Sequence, residues 1–174
     1  WLKCGGRADA TYERGDVSGI TLLMAAAASG RERVVDLLLR HGAEINLQDS
    51  DGDTALMIAA GSGHERVVDL LMRHGAEVNL QDSDGDIALM YAAASGHERV
   101  VDLLMQHGAE INKQGTGGWN ALLVAASQGQ PAIVLRLLRA GADTAARTTG
   151  GKTALHWAKE KGHAECARAL EEHS

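Results

Sequence analysis

The stretch Gly52-Asp-Thr-Ala-Leu-Met-Ile-Ala-Ala-Gly-Ser-Gly-His-Glu-Arg-Val-Val-Asp-Leu-Leu-Met-Arg-His-Gly-Ala-Glu-Val-Asn-Leu-Gln-Asp-Ser-Asp84 decides the reading of this chain. Its register recurs at Gly19, Gly52, Gly85, Gly118 and Gly151, in steps of 33 residues without a gap. Units 19–51 and 52–84 agree at 26 of 33 positions, and 52–84 agrees with 85–117 at 24 of 33. Unit 118–150 is more diverged and 151–174 is shorter. A fixed period of this length marks a chain of stacked supersecondary units.

Within the quoted unit, Ala55, Leu56, Ala59 and Ala60 recur at helical spacing and predict a short helix with a small-residue face over Thr54–Ala60. Ser62-Gly63 interrupts it. Val67, Val68, Leu70 and Leu71 predict a second amphipathic helix over Glu65–Arg73, ended by a left-handed Gly75. Asn79 to Gly85 is polar and turn-rich. Helices of two or three turns do not persist alone in water. Each unit must therefore bury its apolar face against its neighbours, which predicts an all-α solenoid.

Composition agrees and removes other classes. Hydrophobic residues make up 45% of the 174, a globular rather than a disordered balance. Aromatics are 3% and proline occurs once, too few for a β-sandwich. A net charge of −6 argues against a nucleic-acid-binding surface. The longest apolar run, Leu22 to Ala28, is too short to cross a bilayer, so no membrane role is expected. Cys4 and Cys166 sit near opposite ends, which fits a reduced, intracellular protein (cytoplasmic or nuclear) better than a disulfide scaffold.

The repeated unit resembles the ankyrin repeat. Asp82-Ser-Asp-Gly-Asp-Ile-Ala-Leu-Met-Tyr-Ala-Ala-Ala-Ser-Gly-His97, then Val101 to Asn112, follows that family's pattern, and Gly-Lys-Thr-Ala-Leu-His156 is the closest copy of its opening motif. The resemblance covers essentially the whole chain. It implies helix–turn–helix units joined by β-hairpin-like fingers. The family's Pro at the helix start is Leu22, Ala55, Ala88, Ala121 and Ala154 here, and its His is Met24, Met57, Met90 and Leu123 before His156. Only Thr153 and His156 keep the family's Thr–His pair, so a less networked seam is expected in the earlier units.

Both ends carry information. Trp1 to Ala10 align on Leu38 to Leu47, so 1–18 reads as the remnant of a preceding unit whose finger is longer by about four residues around Arg14 to Ser18. The expected organisation is then one domain over 1–174, with full repeats at 19–51, 52–84, 85–117 and 118–150 and a capping repeat at 151–174. Lys159, Glu171 and Glu172 replace small or apolar residues in that last unit, as the polar outer face of a cap requires. On this reading the chain starts inside a unit and its C-terminal end is genuine.

Motifs of catalysis or metal binding are not carried by the pattern. Counted from Asp49 as a calcium loop, the glycine falls at position 4 (Gly52) rather than 6, and Ala60 stands at position 12 where a bidentate Glu is needed. His41, His74 and His107 recur one per unit, and stacked helices ~8–10 Å apart do not bring them to one metal. They read as helix C-terminal residues, and His64, His97 and His163 as structural. Gly151-Lys152-Thr153 lacks the upstream glycine of a phosphate loop, where Ala146 stands. No nucleophile, cofactor or metal ligand set is expected, and the chain is not read as an enzyme.

The informative columns are those that vary. After the Met/His column come Ala25, Ile58, Tyr91, Val124 and Trp157; after the unit glycine come Ile20, Asp53, Asp86, Trp119 and Lys152. Tyr91, Trp119 and Trp157 fall in columns that the aliphatic core does not demand, and large aromatics dominate binding hot spots. Charge is lopsided: residues 1–117 hold 10 basic and 18 acidic residues, while 118–174 hold 7 and 5. Asp49, Asp51, Asp53, Asp82, Asp84 and Asp86 crowd two neighbouring fingers, and Lys113, Arg147 and Lys152 follow in later ones.

In the ankyrin family, partners lie across fingers and first helices. The resemblance therefore implies a monomeric, non-catalytic module that binds a protein or peptide with basic and apolar residues. The expected contacts are Ile58, Tyr91, Trp119, Val124, Trp157, Asp51, Asp53, Asp84, Asp86 and Lys152. A spacer within a longer array, or the targeting domain of a larger enzyme, are the other readings. The family also implies a modification. Asn46, Asn79 and Asn112, each eight residues after a leucine, resemble acceptors of an asparaginyl hydroxylase, whereas Ala145 in the fourth unit is inert.

Overall fold

The computed structural model describes residues 9–173. A β-hairpin opens it: β1 (Thr11–Arg14) pairs antiparallel with β2 (Val17–Thr21), with Tyr12 opposite Ile20 and Arg14 opposite Val17. Five helix pairs follow: α1 (Leu22–Ala28) with α2 (Glu32–Arg40), α3 (Ala55–Gly61) with α4 (Glu65–Arg73), α5 (Ala88–Ser95) with α6 (Glu98–Gln106), α7 (Ala121–Ser127) with α8 (Pro131–Arg139), and α9 (Ala154–Glu160) with α10 (Ala164–Glu172). The two predicted helices of the quoted unit are α3 and α4. Only the first finger forms strands among the described residues. The later fingers are turns, with one 3-10 turn at Thr116–Gly118.

Four of the five inner helices start where a side chain caps them. Thr21, Thr54, Asn120 and Thr153 accept the backbone N–H of the residue three ahead. Ile87, in the same column, has no such oxygen. The expected loss of networking is found at Ile87 and Met90, where no side-chain cap forms, but not at Met24 and Met57. Met24 and Met57 Sδ accept the N–H of Thr21 and Thr54 at 3.3 and 3.4 Å, so sulfur completes the reciprocal cap. At His156 it is the backbone N–H that donates to Thr153 Oγ1, while the ring lies 3.9 Å from Glu160. The histidine therefore sits on the exposed side of its helix.

The inner helices α1, α3, α5, α7 and α9 stack in order, and the outer helices stack behind them. One continuous core runs between the two rows. Leu56, Leu89 and Leu122 come from the inner helices, and Val68, Val101 and Val134 from the outer ones. Ala59 and Ala60, with their equivalents Ala92, Ala93, Ala125 and Ala126, are fully buried between inner helices. Such small residues let helix backbones approach more closely than Val and Leu do. Cys166 is a free thiol in this core, at the position of Val67, and burial pushes its pKa up. Cys4 and most of the Trp1–Ala10 alignment lie outside the described residues.

The histidine columns are structural. His64, His97 and His163 place Nε2 3.0 to 3.1 Å from the carbonyls of Ala28, Gly61 and Ser127, at the end of the preceding inner helix. Gln130 makes the same tie to Ala94. His41 and His107 Nδ1 lie 2.8 Å from carbonyls in the last turns of their own helices. On the outer surface, Arg136 bridges Glu98 (2.8 Å) and Asp102 (2.5 Å) of the preceding unit.

Candidate functional site

The fingers are wired in series by one backbone hydrogen bond per step: Ser50 N–H to Ser18 O, Ser83 to Asp51, Thr116 to Asp84, and Thr149 to Gly117, at 2.5 to 2.9 Å. This places Asp51 and Asp84 structurally. Their backbone carbonyls hold the next finger, and their side chains are exposed. The approach explains the unit glycine. A Cβ on Gly52 (φ 86°) would stand 2.6 Å from Ser83 N, in a left-handed conformation that other residues resist.

Each acidic finger folds around its first aspartate. Asp49 Oδ1 accepts the N–H groups of Asp51 and Asp53, and Asp82 Oδ1 those of Asp84 and Asp86. These are Asx turns, so the acid clusters have a local structural cause. Gln48, Gln81 and Gln114 strut their fingers by donating to the carbonyls of Gly52, Gly85 and Gly118. Arg147 does the same to Gly151 at 2.7 Å.

The two variable columns meet across units. In α3, α5 and α7 the first three residues are buried, but Ile58, Tyr91 and Val124 remain partly exposed on the inner face. The finger residues 38 positions earlier are Ile20, Asp53 and Asp86. Ile58 shares a cleft with Ile20. Tyr91 places Oη 2.7 Å from Asp53 Oδ1 and 2.6 Å from Asp82 Oδ2, with its ring over Gly61. Trp157 stacks on Trp119, with ring centroids 5.1 Å apart and planes tilted by 34°. Lys152 Nζ lies 4.4 Å from the Trp157 ring centre and 2.5 Å from Glu160. The fourth pair is Asp86 with Val124, where the helix side chain offers no hydrogen bond.

Electrostatics follows from these pairings. A phenol has one proton, so Tyr91 donates to one carboxylate at a time. The second is satisfied at that oxygen only when it carries a proton itself. Asp53 is shifted upward, chiefly by desolvation. The Tyr91 hydroxyl opposes this, and Asp49, Asp82 and Asp51 add to it. Asp86 is raised to about 6 by desolvation and by Asp82 and Asp84. Tyr91 is itself pushed far up, by burial and by its two acidic neighbours.

The three asparagines are clamps between units. Asn79 donates to Gly108 O and accepts from Glu110 N; Asn112 does so with Gly141 and Asp143; Asn46 exchanges two bonds with Glu77. Asp9 takes the same place ahead of them, accepting from Glu44 N at 2.8 Å. Its separation is 35 residues rather than 31 because the hairpin lengthens the first finger.

Sequence reading did not single out Tyr12 and Arg14, which line a cleft with Ile20, Met24 and Ile58. The signal for them was the extra residues before Gly19, which build a projecting hairpin beside the inner face. Among the described residues no cluster of three His, Cys, Asp or Glu side chains is placed to hold a metal, and no helix is long and apolar enough to cross a membrane.

No curated protein matches the chain. The family model described as ankyrin repeats (3 copies) matches residues 2–82, 22–115, 59–148 and 112–174, which together span nearly all of it. Ankyrin repeats are in general protein-interaction modules and typically non-catalytic. The sequence period, the helix pairs and this match agree, and the chain belongs to the ankyrin-repeat family.

Proposed function

We propose that this protein is a monomeric, non-catalytic intracellular module that binds a protein or peptide along its fingers and inner helices. The observation that carries the reading is the convergence of two columns on one face. The half-exposed apolar groups Ile58, Tyr91, Val124 and Trp157 lie beside fingers that carry Asp51, Asp53, Asp84 and Asp86. Trp119 and Lys152 complete the face at the C-terminal end. Apolar groups ringed by charge suit a partner that buries an aliphatic or aromatic anchor and carries basic residues.

The test uses a partner recovered by affinity capture on the whole chain, with binding kinetics measured at several salt concentrations. Trp119→Ala combined with Trp157→Ala speeds dissociation at every salt concentration. Asp53→Asn combined with Asp86→Asn slows association at low salt and matters little at high salt, because steering by exposed charge is screened. Parent-like kinetics in both double variants sinks the reading.

Modification belongs to the same proposal. Asn46, Asn79 and Asn112 are the acceptor positions for an asparaginyl hydroxylase. Because each side-chain amide is engaged in an inter-unit clamp, the finger must open locally before such an enzyme reaches it.

A further inference from the structure

The hairpin and the first two inner helices enclose a cleft of about 570 Å³. Tyr12 and Ile20, cross-strand partners on the hairpin, form one wall, with Val17 beside them. Met24 and Ile58, from α1 and α3, lie opposite. Two charged residues line it, Arg14 on the hairpin and Asp49 on the first acidic finger. Its volume falls in the range of ligand clefts, ~300–1,000 Å³. The wall is held in place: Ser18 N–H donates to Ser50 Oγ at 3.0 Å, and Ser50 N–H returns the bond to Ser18 O at 2.9 Å. Tyr12 is 39% exposed, high for a large side chain whose ring lines a cleft and has strand partners.

The fingers beyond the cleft are strongly acidic. From Asp49 onward the fingers carry Asp51 and Asp53, and one unit further on Asp82, Asp84 and Asp86. The hairpin turn carries Arg14 between Glu13 and Asp16. Neighbouring units are ~8–10 Å apart, and an extended chain advances ~3.3 Å per residue. One unit of the solenoid therefore spans about three residues of a bound extended peptide.

We propose that this cleft receives one large apolar side chain of an extended peptide whose chain then runs over the two acidic fingers. The peptide carries Lys or Arg about three and about six residues from the apolar one, on one side of it only. Asp51 and Asp53 meet the first cation, and Asp84 and Asp86 meet the second. This inference rests on the reading of the inner face as a peptide-binding surface and names the end at which the anchor sits.

The experiment selects a phage-displayed random dodecapeptide library on the whole chain, then synthesises the most enriched peptide. The inference expects enriched sequences with that one-sided spacing. It also expects Tyr12→Ala to weaken the synthetic peptide at least tenfold, Tyr12→Phe to restore it, and circular dichroism to show both variants folded. If the peptide binds Tyr12→Ala as it binds the parent but is lost on Trp119→Ala with Trp157→Ala, the inner-face reading stands and the hairpin cleft is wrong. Enriched sequences without the spacing also overturn it. A library that yields no binder overturns both.

Discussion

The rings of Trp119 and Trp157 stack 5.1 Å apart in the same pair of columns through which Tyr91 hydrogen-bonds Asp53 two units earlier. One architectural contact, from a finger to the inner helix of the next unit, is thus filled by two chemistries. The aromatic version is apolar and tolerant of salt. The Asp–Tyr version depends on charge and on the placement of a proton.

The two versions should respond differently to truncation. A stacked aromatic pair contributes ~1 kcal/mol beyond the area it buries. A double-mutant cycle of Trp119→Ala and Trp157→Ala, read by denaturant unfolding, should return a coupling of about that size at low and at high salt. A coupling near zero would mean that the rings touch without stabilising the interface between their units.

Tyr91→Phe keeps the ring over Gly61 and removes only the hydroxyl. Asp53 and Asp82 then lose their shared donor. A hydrogen bond to a charged group is worth ~1.5–3 kcal/mol, and solvent at this half-exposed site reduces that to ~1 kcal/mol. The loss should be seen at neutral pH and shrink as the pH falls and Asp53, whose pKa is raised, takes up a proton. A loss that does not change with pH would assign the effect to packing.

The repeat, the helix bounds in its typical unit and the capping role of the last histidines were legible in the sequence. They depend on period and on local propensity, which a single chain displays in full. The inter-unit contacts were less legible. That Met24 and Met57 cap through sulfur, or that Tyr91 reaches both Asp53 and Asp82, depends on side chains 3 to 38 residues apart meeting after the stack has formed. The candidate columns could be listed from the sequence because they vary. Their partners could not, because the offset of 38 residues is the repeat length plus the rise from finger to helix, a quantity that only the packed structure fixes. Tyr12 was missed for a similar reason. Outside the 33-residue register there was no column in which to place it.

Asp86 has the environment of Asp53 without its tyrosine. Its pKa is raised from 3.8 to about 6, so between those values the folded protein holds a proton that the unfolded chain has released. Stability from this group is therefore present below pH 4 and is lost as pH rises through about 6. Asp86→Asn removes the charge and should stabilise by ~1 kcal/mol at pH 7.5 once solvent screening is allowed for, and by much less at pH 4. Thermal melts of parent and variant at the two pH values decide it. An equal shift at both would show that Asp86 is not protonated by its surroundings.

The asparagine clamps separate fold from modification. Asn79→Ala removes two inter-unit hydrogen bonds and should cost ~1–2 kcal/mol. Local hydrogen exchange should rise most in the finger around residues 108–110. If the hydroxylation proposal holds, mass spectrometry of protein made beside an asparaginyl hydroxylase finds added oxygen at Asn46, Asn79 or Asn112 and none on the peptide around Ala145. Three unmodified asparagines would end that proposal and leave the clamp untouched.

Asn120 is the one cap that carries an unneeded donor. Its Oδ1 accepts Leu123 N–H at 2.9 Å, as the threonines do in their units, but Nδ2 is buried without a partner and the residue is 0% exposed. A buried unsatisfied donor costs ~1–3 kcal/mol. Threonine at this position keeps an oxygen for the cap and replaces the amide nitrogen by a methyl group, as Thr21, Thr54 and Thr153 already do. Asn120→Thr should therefore stabilise the fold by ~1 kcal/mol, with the gain seen as a higher denaturant midpoint at unchanged slope. Loss of stability would mean that the amide finds a partner in solution, most simply a buried water, which the substitution expels.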